Sequence, residues 1–167
     1  MPDPDAYLFA VRPVQTDDRE WIRRLVRDRW AAEIVVVHGA VFHPHELPGF
    51  LAASGLEKVG LVTYAVTGTE CEIVTLDSLK PGRGIGSTLV ASVEDAARQA
   101  GCSLLRLTTT NDNLNALRFY QKRGFALTAL RPGALDATRK LKPIPAVGEH
   151  GIPLRDELDL QKPLPSA

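Results

Sequence analysis

The sequence predicts a single domain of the α/β class, with a mixed, mostly antiparallel central sheet flanked by helices. Three β-rich segments, FLAAS, KVGLVTYAV and ECEIVTL, are separated only by GLE and TGT, and connections of this length are typical of antiparallel hairpins. Two amphipathic helical patterns follow, and each is succeeded by another β-rich run. A helix that connects two strands of one sheet imposes a parallel pair, so we expect a mixed sheet spanning residues 1–167.

The N-terminal third contains one clear strand, one clear helix and one ambiguous segment. Residues 7–14 read as a first strand, and Thr16 is the predicted N-cap of the helix that follows. One face of this helix is apolar, formed by Trp21, Ile22, Leu25, Val26 and Trp30. In residues 33–50 the β-branched side chains favour a strand, whereas the His-Pro-His and Leu-Pro-Gly sequences favour a loop.

The C-terminal half alternates helices and strands before a proline-rich end. One helix ends at Gly101, the run SLLRLTT has the length of a buried strand, a second helix ends at Gly124, and FALTAL begins another strand. Residues 131–167 hold six prolines, which exclude a long helix there. The run RDELDLQ is predicted to supply a last strand at an edge of the sheet.

Composition excludes several functional classes. Twenty basic residues balance twenty acidic ones, so we expect no bulk attraction to nucleic acid or to an anionic membrane. The chain contains no apolar run of about 18 residues, and its first ten residues lack the features of a signal peptide. Cys71 and Cys102 lie in apolar stretches, which is typical of buried thiols in a cytoplasmic protein.

The stretch PGRGIG, residues 81–86, predicts an anion site. Gly82, Gly84 and Gly86 let the backbone approach a phosphate closely, and the N-terminus of the following helix adds partial positive charge. Lys80 and Arg83 can add charge. The spacing fits neither the dinucleotide fingerprint nor the Walker A loop, so a domain for another nucleotide is disfavoured. A glycine-rich turn without any ligand is the alternative for this loop taken alone.

A second motif lies about thirty residues further along the chain. Residues 113–125 read Asn-x-x-Ala-x-x-x-Tyr-x-x-x-Gly-Phe. Together with the glycine loop, this sequence resembles the GNAT superfamily of N-acetyltransferases. The resemblance implies that the loop holds the pyrophosphate of acetyl-CoA and that Asn113 hydrogen-bonds the pantetheine arm. It also implies that Tyr120 donates a proton to the departing thiolate. The loop residues that the resemblance assigns to acetyl-CoA are Gly82, Arg83, Gly84, Ile85, Gly86 and Ser87.

One position departs from the family pattern. Pro81 stands where the family carries a basic or amide residue, and proline also lacks the backbone N–H group. Lys80 or Arg83 would have to replace that side chain. Asn113 and Tyr120 also have plain structural interpretations, as a helix N-cap and as a core aromatic.

The resemblance extends to the strand ECEIVTL, which in the family separates from its neighbour and pairs with pantetheine. Leu76 is then the main-chain partner, with Val74 and Asp77 beside it. A period of two places Glu70, Glu72, Val74 and Leu76 on one face. Glu72 is the candidate general base and Glu70 its alternative; either is equally a solvated acid at a strand end.

The histidines and the long C-terminal loop are assigned to the acceptor side. His38, His43 and His45 lack the carboxylate or cysteine pattern of a zinc site, so no metal is expected. The segment that includes His43, His45 and LPGF is predicted to form part of the acceptor pocket, with His45 a further candidate base. Residues 139–155 are expected to cover the acceptor side or to form a homodimer contact.

The sequence therefore predicts an acetyl-CoA-dependent N-acetyltransferase that transfers acetyl directly to a primary amine. Its partners would be the coenzyme A thioester and an amine that the sequence leaves open: a small molecule, a protein N-terminus or a lysine. The alternative is a module that binds acyl-CoA as a sensor or structural ligand without catalysis. Pro81 and the unidentified base favour that alternative, whereas Tyr120 opposes it.

Overall fold

The computed structural model describes residues 6–166, which form nine strands and four α-helices. The N-terminal residues 1–5, part of the stretch expected to carry no targeting signal, and residue 167 lie outside this range. The strands are β1 Ala10–Pro13, β2 Val35–Val37, β3 Ala40–Phe42, β4 Gly49–Ser54, β5 Glu57–Thr67, β6 Glu70–Ser78, β7 Leu104–Thr110, β8 Ala126–Arg131 and β9 Glu157–Pro163. The helices are α1 Arg19–Trp30, α2 Ile85–Gln99, α3 Leu114–Gln121 and α4 Leu135–Thr138.

Seven strands form one mixed sheet in the order β1-β4-β5-β6-β7-β9-β8. The pair β6–β7 is parallel, because α2 crosses between them, and the other neighbouring pairs are antiparallel. The predicted meander is β4–β5–β6. The prediction of a mixed, mostly antiparallel sheet flanked by helices is confirmed.

The prediction that the last strand lies at an edge of the sheet is wrong. β9 lies between β7 and β8, with hydrogen-bonded ladders on both sides, and β8 occupies the edge. The reason is the placement of the prolines, since Pro163 comes only at the last position of β9. The strand interior therefore keeps its backbone N–H groups, and Leu160 at its centre is fully buried.

The sheet separates two hydrophobic clusters. α2 and α3 cover one face, where Leu89, Leu105 and Phe125 belong to the larger cluster. α1 and β2 cover the other face, where Ile22 and Val35 belong to the smaller one. Cys71 and Cys102 are free and buried, as expected. None of the helices between residues 6 and 166 is long and apolar enough to cross a membrane.

Residues 33–50, for which the sequence favoured both a strand and a loop, contain both structures. β2 and β3 form a hairpin separate from the main sheet. His38 and Gly39 at its turn both have positive φ, 49° and 79°, as a two-residue hairpin with a type I′ turn requires. Beyond β3, residues 44–46 form a single 3₁₀ turn.

The first helix begins later than predicted, and Thr16 is not its N-cap. Residues 16–18 form a 3₁₀ turn, and α1 begins at Arg19 with Asp18 as the preceding residue. Asp18 is buried, and its carboxylate accepts hydrogen bonds from Arg12 at 2.7 Å and from the Gln15 backbone N–H at 2.8 Å. Lys58 forms an ion pair with it at 2.9 Å. These contacts across elements fix where the helix starts.

Asp18 should therefore make the stability of the fold depend on pH. The Arg12 hydrogen bond, followed by the Gln15 and Lys58 contacts, holds the pKa of Asp18 well below its usual range. A lowered pKa in the folded state stabilises the protein above the unfolded pKa of about 3.9, and this contribution is lost as the pH falls below it. We expect Asp18→Asn to lower the free energy of unfolding by about 1–3 kcal/mol at pH 7, measured by urea denaturation.

The difference between Asp18→Asn and the unsubstituted protein should shrink below about pH 4, because protonation removes the same contacts. Asp17→Asn is the matched control, since Asp17 is exposed and a surface change costs within about 0.5 kcal/mol. A loss for Asp18→Asn that is independent of pH would contradict this account.

Candidate active site

The sheet opens between β6 and β7. The two strands pair from Glu70↔Leu104 to Ile73↔Leu107, and no further pair between them forms in the part of the chain that the structure describes. β6 nevertheless continues to Ser78 and β7 to Thr110. The split expected from the family resemblance is thus present. It exposes backbone N–H and C=O groups of β6, which require water or a ligand as partner.

A β-bulge at Val74 turns β6 at the start of the split. On its other side, β6 pairs with β5 as Tyr64↔Ile73 and then as Thr63↔Thr75, so Val74 is the extra residue. Val74 consequently packs with the α1-side cluster, whereas Leu76 packs with the α2–α3 side. The prediction that Leu76 shares a face with Glu70, Glu72 and Val74 is wrong, because the bulge interrupts the period of two.

A cavity of about 780 Å³ fills the split and reaches both faces of the sheet. Tyr120 and Gly86 line it on the α2–α3 side, and Trp30 lines it on the α1 side. The edges of the split contribute Leu76 and residues 108–110. The segment 139–155 closes another wall through Lys142, Pro143, Ile144, Pro145, Glu149 and Leu154.

Tyr120 lies in the wall of this cavity with only 6% of its surface exposed. Its ring packs edge-on against Phe119 at 5.0 Å and against Phe125 at 5.2 Å between centroids. Burial raises the pKa of Tyr120, and the nearby Asp77 carboxylate raises it further. The hydroxyl therefore keeps its proton at neutral pH, which suits a proton donor.

The glycine loop adjoins the cavity at the start of α2. Gly82 and Gly84 have φ of 73° and 77°, and a Cβ on either would meet no described atom within 4 Å. The turn therefore needs glycine and is open where a ligand would approach. Gly86 differs, because its Cβ would lie 3.2 Å from the Phe119 ring. Its role is to let α2 and α3 pack closely.

Comparison with known proteins agrees with this geometry. Residues 10–125, more than half of the chain, match the Acetyltransferase (GNAT) family. The chain belongs to the GNAT family. It is 44% identical to the Bacillus subtilis (strain 168) protein YdhI over 136 residues, which cover 80% of this chain and 84% of that protein.

Solved structures show the same GNAT fold. An IAA acetyltransferase from Bacillus cereus ATCC 14579 aligns with a TM-score of 0.74 at 20% identity, over 94% of this chain and 100% of that one. A Bacillus subtilis acetyltransferase in complex with CoA aligns with a TM-score of 0.72 at 20% identity, over 95% of this chain and 100% of that one.

The predicted loop cations, Lys80 and Arg83, contact other residues of the protein, and their part in holding a phosphate stays a prediction. Lys80 forms an ion pair with Glu57 at 3.0 Å, and Arg83 lies 5.6 Å from the Tyr7 ring centroid. Arg123, which sequence reasoning missed, lies beside the first turn of α2. Its Nε donates to Ser87 Oγ at 3.0 Å, and its guanidinium carbon Cζ lies 3.6 Å from the centroid of the Phe119 ring. Only the fold brings the end of α3 to this place, so no local signal indicated it.

The Asn-Asp-Asn sequence before α3 holds the long C-terminal segment. Asn113 caps α3, since its Oδ1 accepts from the Ala116 N–H at 3.1 Å, and its predicted contact with pantetheine stays a prediction. Asn111 donates to the Pro153 carbonyl at 2.8 Å and accepts from the Arg155 and Asp156 N–H groups at 3.0 and 2.9 Å.

Asp112 makes the second attachment. Its Oδ1 accepts from the Thr110 hydroxyl at 2.5 Å, and its Oδ2 accepts from the Glu149 N–H at 2.9 Å. A Cβ on Gly148 would lie 2.1 Å from Asp112 Oδ2, so the approach requires glycine there. The segment 139–155 therefore covers part of the cavity, and its predicted place on the acceptor side or in a homodimer contact stays a prediction.

The candidate bases lie away from the cavity lining. Glu70 and Glu72 both face Arg106, at 3.4 and 3.6 Å, in the paired part of β6, and burial raises the pKa of Glu72. Their assignment as base stays a prediction that their position does not support. His45 contacts Arg23 at 3.3 Å, and neither His43 nor His45 lines the cavity, so their place in the acceptor pocket stays a prediction that their position does not support.

Asp77 has a role that the sequence did not indicate. It was predicted to meet the ligand through its backbone, but its side chain turns towards α1 beyond the bulge. Arg29 Nε donates to one carboxylate oxygen at 2.9 Å, and Trp30 Nε1 donates to the other at 3.2 Å. Burial raises the pKa of Asp77, which lines the cavity near Tyr120. The hydrogen bonds from Arg29 and Trp30 to Asp77 attach the end of α1 to the unpaired part of β6.

Loss of the Asp112 attachment should loosen the cover of the cavity. Asp112→Asn offers one oxygen to two donors, so either the Thr110 hydroxyl or the Glu149 N–H loses its acceptor. We expect amide hydrogen exchange in residues 146–154 to accelerate about tenfold or more, measured by mass spectrometry of the folded protein. Asp95→Asn on the exposed face of α2 is the control. Unchanged exchange in Asp112→Asn would show that other contacts hold the segment.

Proposed function

We propose that this GNAT protein is an acetyl-CoA-dependent N-acetyltransferase that moves the acetyl group to a primary amine by direct transfer. The observation that carries the proposal is the split between β6 and β7, with the Tyr120 hydroxyl in its wall and the open glycine turn beside it. The acetyltransferase family of the chain and the CoA bound by a structural neighbour support it.

The residues around the split fit acetyl-CoA. The turn at Gly82 and Gly84, with the first-turn N–H groups of Ile85, Gly86 and Ser87, offers a site for the pyrophosphate. Arg123 supplies a cation in place of the side chain that Pro81 lacks, and Arg83 within the loop adds a second one. Along β6, the free backbone near Leu76, between Val74 and Asp77, can pair with the pantetheine amides as an added strand would.

The chemistry needs one proton removed and one supplied. The neutral amine nitrogen attacks the thioester carbonyl carbon, forming a C–N bond while the C–S bond breaks. Tyr120 gives its proton to the departing sulfur as the C–S bond breaks, and the raised pKa of Tyr120 keeps the proton on the hydroxyl until charge develops on that sulfur. The proton lost by the amine restores Tyr120 through water. Glu72 or Glu70 acts as base only through water, since neither lines the cavity.

A charge placed in the glycine turn should abolish cofactor binding. Gly84→Asp puts a carboxylate where the pyrophosphate is proposed to lie, whereas Gly84→Asn adds a side chain of the same size without the charge. Both residues tolerate positive φ better than most. We expect acetyl-CoA to bind Gly84→Asp at least about tenfold more weakly than Gly84→Asn in isothermal titration calorimetry. Equal affinities would remove the turn from the pyrophosphate site.

The role of Tyr120 separates catalysis from binding alone. Tyr120→Phe keeps the packing and removes the proton donor, so we expect kcat to fall about 100-fold or more. The Kd of acetyl-CoA should change by no more than about threefold. Tyr64→Phe, a partly buried tyrosine stacked on Phe50, is the matched control. An unchanged kcat for thiol release would remove the role, and acetyl-CoA binding without transfer to any amine would favour the sensor alternative.

A further inference from the structure

A second, smaller chamber of about 130 Å³ adjoins the main cavity on the α1 side of the sheet. The two share the walls formed by Trp30, Val74, residues 108–110 and Lys142. β2 forms another wall, and the apolar side chains lining the chamber are Val35, Val36, Val37, Val74, Leu135 and Ile144. This volume has room for a group of about five non-hydrogen atoms.

One buried carboxylate lies in the wall of this chamber. Glu157 at the start of β9 is 3% exposed, and its Oε2 has no hydrogen-bond partner among the described residues. The His38 Nε2 is 3.7 Å from this oxygen, but it lies closer to Asp159, at 2.7 Å, and Arg131 also pairs with Asp159, at 2.8 Å. A buried carboxylate oxygen without a hydrogen bond is costly to the fold, so a ligand is a physical reason for it.

Glu157 lies too far from the thioester site to act on the reacting nitrogen. It pairs with Thr110 on β7, and β7 separates β9 from the unpaired stretch of β6 near Leu76. Two strand spacings amount to about 10 Å, and the split widens one of them. A glutamate side chain covers about half of that distance. A carboxylate at this distance can contact an acceptor only at a group other than the amine that is acetylated.

We propose that the small chamber binds a cationic group of the acceptor through Glu157, and that the acceptor is a short aliphatic diamine. One nitrogen stays an ammonium beside Glu157, the methylenes lie along the valine walls, and the other nitrogen, neutral, reaches the thioester. The proposal rests on the proposed function. Transfer gives a mono-acetylated diamine and the CoA thiol, with the reacting nitrogen losing one proton and the sulfur gaining one.

The other cation of the chamber is already held by the fold. Lys142 Nζ donates to the backbone carbonyls of Trp30 at 2.8 Å and Ile34 at 3.3 Å. Trp30 is the last residue of α1 and Ile34 lies shortly beyond it, so the ammonium group sits at the C-terminus of the helix, where a cation is favourable. Lys142 thus closes the chamber beside α1. The His38 backbone hydrogen-bonds the Glu157 carboxylate, and the Oε2 of that carboxylate is left for the ligand.

The test compares two acceptors that differ only in the second nitrogen. With acetyl-CoA and thiol release as the readout, we expect kcat/KM for 1,4-diaminobutane to exceed that for butylamine about 10- to 100-fold. In Glu157→Gln this ratio should fall to about one through loss of the diamine rate, while butylamine turnover and the KM of acetyl-CoA stay within about threefold. Glu94→Gln is the control, because Glu94 is a mostly buried carboxylate on α2, engaged by Lys162 at 2.7 Å.

Each outcome decides the proposal. Equal rates for both amines in the unsubstituted protein, or a preference that persists in Glu157→Gln, overturn it. Acetyl-CoA binding with no turnover of either amine also overturns it and leaves the proposed function standing. Failure to bind acetyl-CoA removes both. A melting temperature of Glu157→Gln at or above that of the unsubstituted protein is expected, since the change removes a buried charge; a large drop would indicate a structural role instead.

Discussion

The parallel pairing of β6 and β7 ends at Ile73 and Leu107, and the rest of the molecule is arranged around that end. The bulge at Val74 redirects β6 immediately beyond it, while the neighbouring β5–β6 ladder resumes at Thr75 and continues to Ser78. The sheet therefore stays intact on one side of β6 and is open on the other. Backbone N–H and C=O groups inside a domain seldom lack hydrogen-bond partners, so the unpaired groups at an opening in the middle of a sheet are suited to bind a ligand or water.

The two sides of the opening also differ in the charge of the ligand group that each would favour. On the α2–α3 side, the start of α2, the glycine turn and Arg123 offer positive potential to an anion. On the α1 side, Glu157 has one carboxylate oxygen without a hydrogen bond among the described residues, whereas Asp77 is bound by Arg29 and Trp30. Because twenty basic and twenty acidic residues cancel, the net charge conceals this polarity. A cavity with a glycine turn beside one end and a buried carboxylate at the other is consistent with the proposed reaction between an anionic donor and a cationic acceptor.

Local patterns predicted those parts of the structure that local contacts determine. The meander followed from two short turns, and Gly84 and Tyr120 were assigned because one loop and one helix resemble the motifs of the family. The pattern of β6 failed at Val74, because nothing in ECEIVTL marks a bulge whose cause is the ladder with β5. The start of α1 was misplaced because Asp18 is held by Arg12 and Lys58.

Other parts of the site are formed by contacts between residues that are far apart in the sequence, and the periodicity of apolar residues does not predict such contacts. Arg123 reaches Ser87 across 36 residues, and the Asn111 and Asp112 attachments join β7 to a segment about 40 residues later. Glu157 was counted within a predicted edge strand, where an acid is ordinary. Its burial follows only from the insertion of β9 between β7 and β8.

The segment 139–155 makes one wall of the cavity a preformed surface. Arg139 binds the Pro145 carbonyl at 3.1 Å and the Leu154 carbonyl at 2.5 Å, so the two arms of the segment are linked to each other. Lys142 ties one arm to the end of α1, and Asp112 ties the other to β7. Proline in such a segment reduces the conformational freedom of the unfolded chain, and a segment ordered before binding spares the ligand that entropic cost. In the proposed reaction, acceptor selection would depend on walls that folding has already positioned.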